Sequence, residues 1–463
     1  MTTSAPARGI LSLACCLLLS SCIQTPPAVP LDPDAVLADV RAEREEAPTP
    51  EGQPLTLAEA TALLRRANPD IREARATWAV TEAIARTETP APNPTVSFGP
   101  LFFGGGNILD MATIGYTAAM GWAVPVKNPP RLADKVNRVR ADAARARAIA
   151  VERTAYLDLR AKMTAALLGD QLDVVLAKIE EASENATRIG RDMAQSGQRT
   201  ALDVRLLELE VAKNRATRIA ARGRTRAAQH EVAGVLGRTA ASIQLTGSPL
   251  PGLILEAPNV DEVERAAIEG HPDLAVLRAE YMLAERLLRQ EAARSNPGIN
   301  LGLDFERTQP DNQLGLPLGI ELPIFDQNQQ GIAGAKAERD AVRARYHARL
   351  QRMLGAIATA HARLAAQLEL LEAVDDGVQP AVDQAVAAAR AGLDAGSVDA
   401  LSFLTTLQSA TFVAVERFEA RREVFLAWSA LEEAAGVPLL QWPDATTPAP
   451  AAEAAAPSDE EVK

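Results

Sequence analysis

Four aspartates lie within a few residues of two glycines that occupy equivalent places in the chain. When a chain assembles around an axis, carboxylates at one level form a ring that attracts cations and controls a constriction. The alternative is that these side chains are solvated charges at helix ends, and the sequence favours neither interpretation. The aspartates are Asp192, Asp203, Asp394 and Asp399, and the glycines are Gly197 and Gly396.

The sequence lacks the residue groups that catalysis or metal binding requires. The histidines are scattered without the spacing of metal ligands, and no Gly-rich phosphate loop occurs. His271 stands directly before Pro272, where we expect it to open a helix rather than to bind a metal. We interpret acidic pairs such as Asp375-Asp376 as charges on the surface or in a lumen, because catalytic carboxylates need a shielded pocket. We therefore expect no enzyme, no cofactor and no metal site; the histidines are His230, His271, His347 and His361.

Cys22 follows a short secretory leader. Arg8 supplies its positive charge, and the apolar run from Ile10 to Leu19, about ten residues, is too short to span a bilayer as a helix. The sequence Leu19-Ser20-Ser21-Cys22 resembles the bacterial lipobox, whose cysteine becomes the acylated first residue. We predict a signal peptide at 1–21 and a lipid anchor on Cys22. The alternative is an ordinary signal peptide that happens to contain a cysteine.

After the leader is removed, Cys22 is the only cysteine, which excludes an intrachain disulfide even in an oxidising compartment. Lipidation explains its presence economically, and a di- or triacyl anchor would hold the N-terminus firmly. Ile23 stands where the inner-membrane retention signal has an aspartate, which favours the outer membrane.

The composition favours long helices with small side chains. The chain has 463 residues, of which 47% are hydrophobic and only 4% aromatic, and alanine dominates. The net charge is −12 and becomes −13 when the leader, with one arginine and no acid, is removed. This balance argues against nucleic acid as a partner and suits a surface or lumen that tolerates cations.

Short motifs of the first half of the chain return about 200 residues later, which indicates a duplicated folding unit rather than a short-period solenoid. Each copy is predicted to contain a helix, a strand pair and a long helical hairpin. The matching pairs are Asn68-Pro69-Asp70 with His271-Pro272-Asp273, Val124-Pro125-Val126 with Leu322-Pro323-Ile324, Gly197 with Gly396, and Gly237 with Gly436.

The first copy is predicted at 56–237, after an extended, lipid-anchored linker at 22–55 that is rich in Pro, Ala and acidic residues. Thr56 and Glu59 form a capping box that opens a helix of about 30 residues, ending near Glu88. The strand pair is predicted at 95–126 and the hairpin at 131–237, with its turn at Gly197.

The second copy is predicted at 259–437, after a connector at 238–258. Its strand pair lies at 298–325, where Pro317 weakens the last strand, and its hairpin lies at 331–437. Pro380 falls inside the first helix of this hairpin and should kink it. The residues 443–463 are of low complexity and are predicted to be disordered.

The strand count sets the predicted assembly. Four strands per chain cannot close a barrel, because about eight is the smallest number in membranes and open edges are not tolerated in lipid. Three chains would supply twelve strands and a ring of long helices; two chains would also close. The predicted fold is mainly α with a small β part: a duplicated unit of coiled-coil hairpins plus four membrane strands, the trimer forming a 12-stranded β-barrel on an α-helical barrel.

The motifs resemble the TolC-like outer-membrane factors of tripartite efflux systems, over about residues 56–437. They are the paired Asn68-Pro69-Asp70 and His271-Pro272-Asp273 openings, the mid-helix Pro380-Ala381, and the turns Gly197-x-x-x-Ala201-Leu202 and Gly396-x-x-x-Ala400-Leu401. The run Leu322-Pro323-Ile324-Phe325-Asp326-Gln327-Asn328-Gln329 looks most like the subfamily that serves heavy-metal resistance pumps. The first-copy run Val124-Pro125-Val126-Lys127-Asn128 departs from that pattern.

The resemblance implies a passive export duct in the outer membrane that extends into the periplasm, with heavy-metal cations as the expected cargo. It implies a homotrimer that works with a periplasmic adaptor protein and an inner-membrane pump, expected to be of the RND type. The hairpin tips would contact the adaptor through Gly197, Ala201, Leu202, Gly396, Ala400 and Leu401. The alternatives are a duct for drugs, small molecules or type I secretion and, from another class, a periplasmic adaptor or scaffold lipoprotein.

Overall fold

The computed structural model of the protein describes residues 28–46, 54–104, 111–125, 129–197, 200–247, 256–308, 311–395, 397–398 and 400–439. Several sequence predictions concern residues outside these ranges: the leader, Cys22, Gly396, Asp399 and the tail at 443–463.

The segment predicted as an extended linker contains a helix, α1 (Pro33–Glu45), so that prediction was wrong in this part. The Asp32 carboxylate accepts hydrogen bonds from the Asp34 and Ala35 amides, and Pro33 occupies the first helical position. Both features stabilise a helix start, which the Pro-rich composition obscured. This helix forms a compact unit separate from the rest of the chain.

The single helix predicted from Thr56 to near Glu88 is two helices, α2 (Leu57–Ala67) and α3 (Pro69–Arg86). Thr56 and Glu59 form the predicted capping box at the start of α2. Asn68 ends α2 and caps α3, since a residue before proline is driven out of the helical conformation. The same break in the second copy separates α6 (Val260–Gly270) from α7 (Pro272–Arg294) at His271.

The strands of both copies form one antiparallel sheet. The first copy contributes β1 (Thr95–Gly104) and β2 (Met111–Pro125), and the second contributes β3 (Gly298–Thr308), β4 (Asp311–Gly315) and β5 (Leu318–Ile320). The order is β1-β2-β3-β4, and β5 also pairs with β3. The last predicted strand is interrupted before Pro317, which has no N–H to donate, and it ends at Ile320 rather than Phe325.

The first hairpin consists of α4 (Pro129–Gln195) and α5 (Ala201–Val235). With 67 residues, α4 is about 100 Å long, as the sequence predicted. Gly197 adopts a φ of +75° in the turn, which a residue with a side chain rarely adopts. Thr200 and Asp203 form a second capping box that starts α5.

The second hairpin is built from α8 (Gln329–Glu372), a π-helical turn (Ala373–Val378), α9 (Gln379–Asp394) and α10 (Ala400–Ala435). The predicted disturbance at Pro380 therefore takes the form of a π-turn just before the proline. Because proline removes one backbone donor and crowds the carbonyl four residues earlier, a wider turn relieves the clash.

The two hairpins pack side by side through α10. Further from the tips, the core is formed within each copy, around Leu64 and Leu159 in the first and around Leu364 and Trp428 in the second. Near the tips, Ala186 and Leu207 of the first hairpin share one apolar cluster with Phe403, Leu404 and Leu407 of the second.

Candidate functional site

One face of the sheet is apolar and exposed. Because directly opposed residues project to the same side, the strand register places matching side chains in rows. Val96 lies opposite Met120, which lies opposite Leu303, and Trp122 lies opposite Leu301, which lies opposite Leu318. Each of these side chains is at least 45% exposed, so no part of the chain that the structure describes covers this face.

The other face is polar or made of small residues. Ser97 lies opposite Ala119, which lies opposite Asp304, and Thr117 lies opposite Glu306. A sheet with one apolar and one polar face is typical of a barrel wall between lipid and water. Sequence analysis missed this division, although the alternation in Val96-Ser97-Phe98 and Leu301-Gly302-Leu303-Asp304 carries the signal.

Aromatic side chains border the apolar face at two levels. Phe98, Tyr116 and Phe305 form a row across three strands, with ring centroids 5.9 and 6.1 Å apart. At the other border of the apolar face, the Trp122 indole donates a hydrogen bond to the Pro92 carbonyl at 3.1 Å. Such rings at both borders of an apolar band are characteristic of membrane–water interfaces.

The tip of the first hairpin is held by local polar contacts. The Asp203 carboxylate accepts a hydrogen bond from the Thr200 amide at 3.1 Å. This residue of the predicted acidic ring therefore also caps a helix. Asp192, in the last turn of α4, is exposed. Glu208 binds Arg191 and Arg205, each at 2.8 Å, which ties α4 to α5 just above the turn and lowers the pKa of Glu208 through these hydrogen bonds.

The predicted contact residues of the first tip are accessible. Leu202 is 67% exposed and Ala201 is exposed, and a methyl group added at Gly197 would meet no other atom within 4 Å. In the second tip, the Gly392 carbonyl accepts the amides of Ser397 and Val398 at 2.8 and 3.1 Å. The side chains of Asp394, Ala400 and Leu401, with Gly396 and Asp399, lie outside the described part.

Asn68 and His271 occupy equivalent joints in the two copies. Asn68 accepts the Ile71 amide at 2.9 Å and donates to the Val235 carbonyl at 2.8 Å. His271 Nδ1 accepts the Asp273 amide at 3.1 Å, which requires an unprotonated nitrogen. Burial lowers the pKa of His271; Asp273 opposes this and Arg349 adds to it. His271 is therefore a structural cap, as its position before proline predicted.

The described residues contain no grouping of three His, Cys, Asp or Glu side chains that could hold a metal ion. Among the helices in the described ranges, none is both long and apolar enough to cross a membrane.

A buried ion pair that sequence analysis missed joins the two copies. Arg160 of α4 and Glu432 of α10 are both fully buried and bind each other through two hydrogen bonds. Glu432 also accepts the Leu439 amide at 2.8 Å. The residues are 272 positions apart, and no local pattern identifies such a pair.

The second copy matches a family model. Residues 264–437, which include most of α6 and all of α7 to α10, match the family described as outer membrane efflux protein. A stretch of 145 residues is 28% identical to the cobalt-zinc-cadmium resistance protein CzcC of Cupriavidus metallidurans. This match covers 31% of the chain and 35% of CzcC, so it spans about a third of that protein.

Solved channel structures share the fold over most of the chain. A crystal structure of CusC, described in terms of transmembrane channel formation, is 15% identical with a TM-score of 0.66, covering 85% of this chain and 98% of CusC. The outer membrane protein VceC of Vibrio cholerae is 14% identical with a TM-score of 0.65, covering 82% and 96%. At these identities the likeness concerns the fold.

The family match and the shared fold agree with the two-faced sheet and the paired hairpins. Residues 264–437 match the model of the outer membrane efflux protein family, and the resemblance to TolC-like outer-membrane factors that the motifs predict is confirmed.

Proposed function

We propose that the protein is the outer-membrane channel of a tripartite efflux system, a passive duct through which an inner-membrane pump exports its cargo. The observation that carries this proposal is the sheet with one exposed apolar face and one polar face. The apolar face would contact lipid, and the polar face, with Asp304 and Glu306, would line the lumen. The long hairpins would extend through the periplasm.

The duct would be a homotrimer. Among the described strands, β1 at one side and β4 with β5 at the other form the edges of the sheet, and lipid offers no hydrogen bonds to unpaired backbone groups. Three copies would close the edges into a barrel and the hairpins into a tube below it. An adaptor protein would open the duct and a pump, expected to be of the RND type, would drive transport; the match to the outer membrane efflux protein family supports both partners.

The assembly can be tested with purified protein in detergent. We expect light scattering to give about three times the mass of the mature chain, and planar bilayers to show ion-conducting channels. Leu301→Asp places a charge on the apolar face and should abolish insertion, whereas Asn300→Asp, its neighbour on the polar face, should insert and conduct. A monomer that conducts nothing would contradict the proposal and support a periplasmic scaffold instead.

The tips would bind the periplasmic adaptor. Ala201 and Leu202 lie exposed beside the turn, which supports a contact that buries apolar surface. Leu202→Asp should prevent co-purification of the adaptor after cross-linking in cells, while Lys213→Asp, further up α5, should not. Equal cross-linking of both variants would exclude this tip as the docking site.

Acidic rings at the tips would favour cations. Asp203→Asn with Asp399→Asn should lower the cation selectivity of single channels. Because Asp203 also caps α5, the control is Thr200→Ala, which removes the capping hydroxyl and keeps the carboxylate. Unchanged selectivity in the Asn variants would show that these aspartates are solvated helix-end charges.

The cargo would be heavy-metal cations. This proposal is supported by the similarity to CzcC and by the run from Leu322 to Gln329. Deleting the gene should lower the tolerance of cells to cobalt, zinc or cadmium, and the intact gene should restore it. Unchanged metal tolerance together with increased drug sensitivity would make it a drug duct.

Cys22 would carry the lipid anchor. Cys22→Ser should abolish the incorporation of labelled palmitate and leave the leader uncleaved or differently cleaved. Because the barrel would insert independently, the variant should still sediment with the outer membrane. Palmitate incorporation that persists in the variant would disprove the assignment.

A further inference from the structure

Arg153 of α4 is a buried cation close to the ion pair that joins the two copies. Only 9% of Arg153 is exposed, and it lies two helical turns before Arg160 on the same face of the helix. Burial lowers the pKa of Arg153; Tyr156 and Glu432 oppose this, and Arg160 adds to it. The Arg160–Glu432 pair is therefore near enough to act on the charge of Arg153.

The nearby carboxylate is engaged by the other arginine. Glu432 binds Arg160 through two hydrogen bonds and also accepts the Leu439 amide at 2.8 Å. Neither Nε nor Nη2 of Arg153 donates to Glu432 or to any other group in the described part of the chain. Arginine keeps its proton in proteins, so its charge cannot be removed by titration. A buried charge without a hydrogen-bonded counter-charge is strongly destabilising.

The two unpaired donors of Arg153 have a defined geometry. The Nε–H and Nη2–H bonds point in parallel from one side of the planar guanidinium, and we call this pair of donors the Arg153 fork. Such a fork fits two neighbouring oxygens of a carboxylate, phosphate or sulfate group. A water molecule or a chloride ion offers one atom to both donors, and water brings no charge. The fork thus selects the shape of its partner as well as the sign of its charge.

We propose that the Arg153 fork is a binding site for an oxyanion, held beside the Arg160–Glu432 pair. The oxyanion neutralises the second guanidinium of this region and satisfies both buried donors. It thereby stabilises α4 where α4 is joined to the second copy. This site lies in the interior of one chain and is independent of the proposed transport function.

Two sources supply such an oxyanion. One is free inorganic phosphate or sulfate, which reaches the site through the exposed part of Arg153. The other is a carboxylate of the chain beyond Leu439, because the Leu439 amide binds Glu432 and this end of the described chain therefore lies next to the pair. Residues 440–463, which lie outside the described part, hold one base and five acids: Asp444, Glu453, Asp459, Glu460 and Glu461.

Unfolding of the purified full chain in denaturant tests the site. Millimolar inorganic phosphate is compared with chloride at equal ionic strength. In the wild type, each tenfold increase of phosphate above its dissociation constant should raise the ratio of folded to unfolded protein about tenfold. Arg153→Met keeps an unbranched side chain without the charge and should lose this response. Arg140→Met, at an exposed position of the same helix, should keep it.

Two further variants complete the test. Arg153→Lys keeps the charge but has no fork, so it should respond to phosphate much more weakly than the wild type. It also replaces Arg153→Met if that variant does not fold. A variant in which the five acids of residues 440–463 are replaced by their amides identifies the source of the oxyanion.

The outcomes decide between the sources and test the site itself. A response of the wild type that is lost in Arg153→Met assigns the fork to a free oxyanion. A response that emerges only in the five-amide variant assigns it to a carboxylate of the tail. If neither protein responds, or if Arg153→Met responds as strongly as the wild type, the site is overturned and the duct is unaffected. Conversely, a monomer that conducts nothing would overturn the duct and leave this site intact.

Discussion

The two hairpins are copies of one unit, yet their first helices are built differently. In the first hairpin α4 runs for 67 residues without a break, whereas in the second a π-turn divides α8 from α9. In both hairpins, two arginines one helical turn apart on the returning helix bind one aspartate of the outgoing helix, and we call this contact the clasp. The arginines are Arg218 and Arg222 in the first hairpin and Arg417 and Arg421 in the second.

The aspartate that binds the arginine pair does not occupy the same position in the two copies. Asp173 accepts from Arg218 at 2.9 Å and from Arg222 at 2.8 Å, and Asp375 accepts from Arg417 at 2.5 Å and from Arg421 at 3.2 Å. The arginines keep the 199-residue offset, but Asp375 lies three residues nearer its tip glycine than Asp173 does. The duplication has therefore kept the clasp while it placed the second carboxylate inside the π-turn.

The largest expected difference between the copies concerns the buried pair that joins them. Glu432→Ala removes the carboxylate that Arg160 binds in the interior, and loss of one partner of a buried pair costs about 3–5 kcal/mol. Thr359, which lies 199 residues after Arg160, is exposed, and its hydroxyl binds the Gly355 carbonyl of its own helix. Thr359→Ala should therefore change the free energy of unfolding by less than about 0.5 kcal/mol.

Unfolding of the detergent-solubilised variants in denaturant measures both changes. A loss of less than about 1 kcal/mol in Glu432→Ala, far below the cost of leaving a buried charge without its partner, would mean that water reaches the site. In that case the two copies would be joined mainly by the apolar clusters between the hairpins.

The sequence predicted the long elements because their signals are local and repeated. The helical spacing from Leu172 to Met193 and the absence of proline from 131 to 195 specify α4. Two of the predictions that were wrong each involve a single boundary residue. Asn68 divides one predicted helix because Pro69 follows it, and Asp32 starts a helix within a segment whose prolines suggested an extended chain.

The candidate site was less predictable because its parts lie on different elements. The lipid-facing rows emerge only when Met120 is seen between Val96 and Leu303, which requires the register of three strands. For Arg160 and Glu432, the sequence offers two ordinary charged residues on two helices. The tip residues, in contrast, could be named in advance, because a glycine turn followed by Ala201-Leu202 is a local motif.

Both arginine–aspartate contacts should lose a similar amount of stability when the carboxylate is removed. Burial raises the pKa of Asp375, but the hydrogen bonds from Arg417 and Arg421 more than offset it and hold the pKa below its ordinary value. The stability that this carboxylate provides is thus present above about pH 4 and is lost as the pH falls through its folded pKa. Asp375→Asn and Asp173→Asn should each cost about 1 kcal/mol, since both pairs are partly exposed.

Hydrogen exchange distinguishes the two clasps. In Asp375→Asn the amides of 373–378 should exchange faster, because the clasp spans the π-turn, whose hydrogen bonds are weaker than those of an α-helix. In Asp173→Asn the amides of the continuous helix around it should be unaffected. Equal protection of the two segments in both variants would show that the clasp does not stabilise the π-turn.

The smallest expected difference is a pH dependence that only the second copy should show. His271 caps α7 in its neutral form, faces Asp273 and Arg349, and packs its ring against Gly436. Because its folded pKa lies below the ordinary value of 6.5, the unfolded chain binds the proton first, and stability should fall as the pH drops below about 6.5.

His271→Asn introduces the residue of the first copy, Asn68, which caps α3 without titrating. The variant should unfold with a flatter dependence on pH between 5 and 7, measured in denaturant, whereas His230→Asn, at an exposed position on α5, should keep the wild-type slope. If His271→Asn keeps that slope as well, the two joints are equivalent in their response to acid, and the difference between the copies lies in the π-turn and the buried pair.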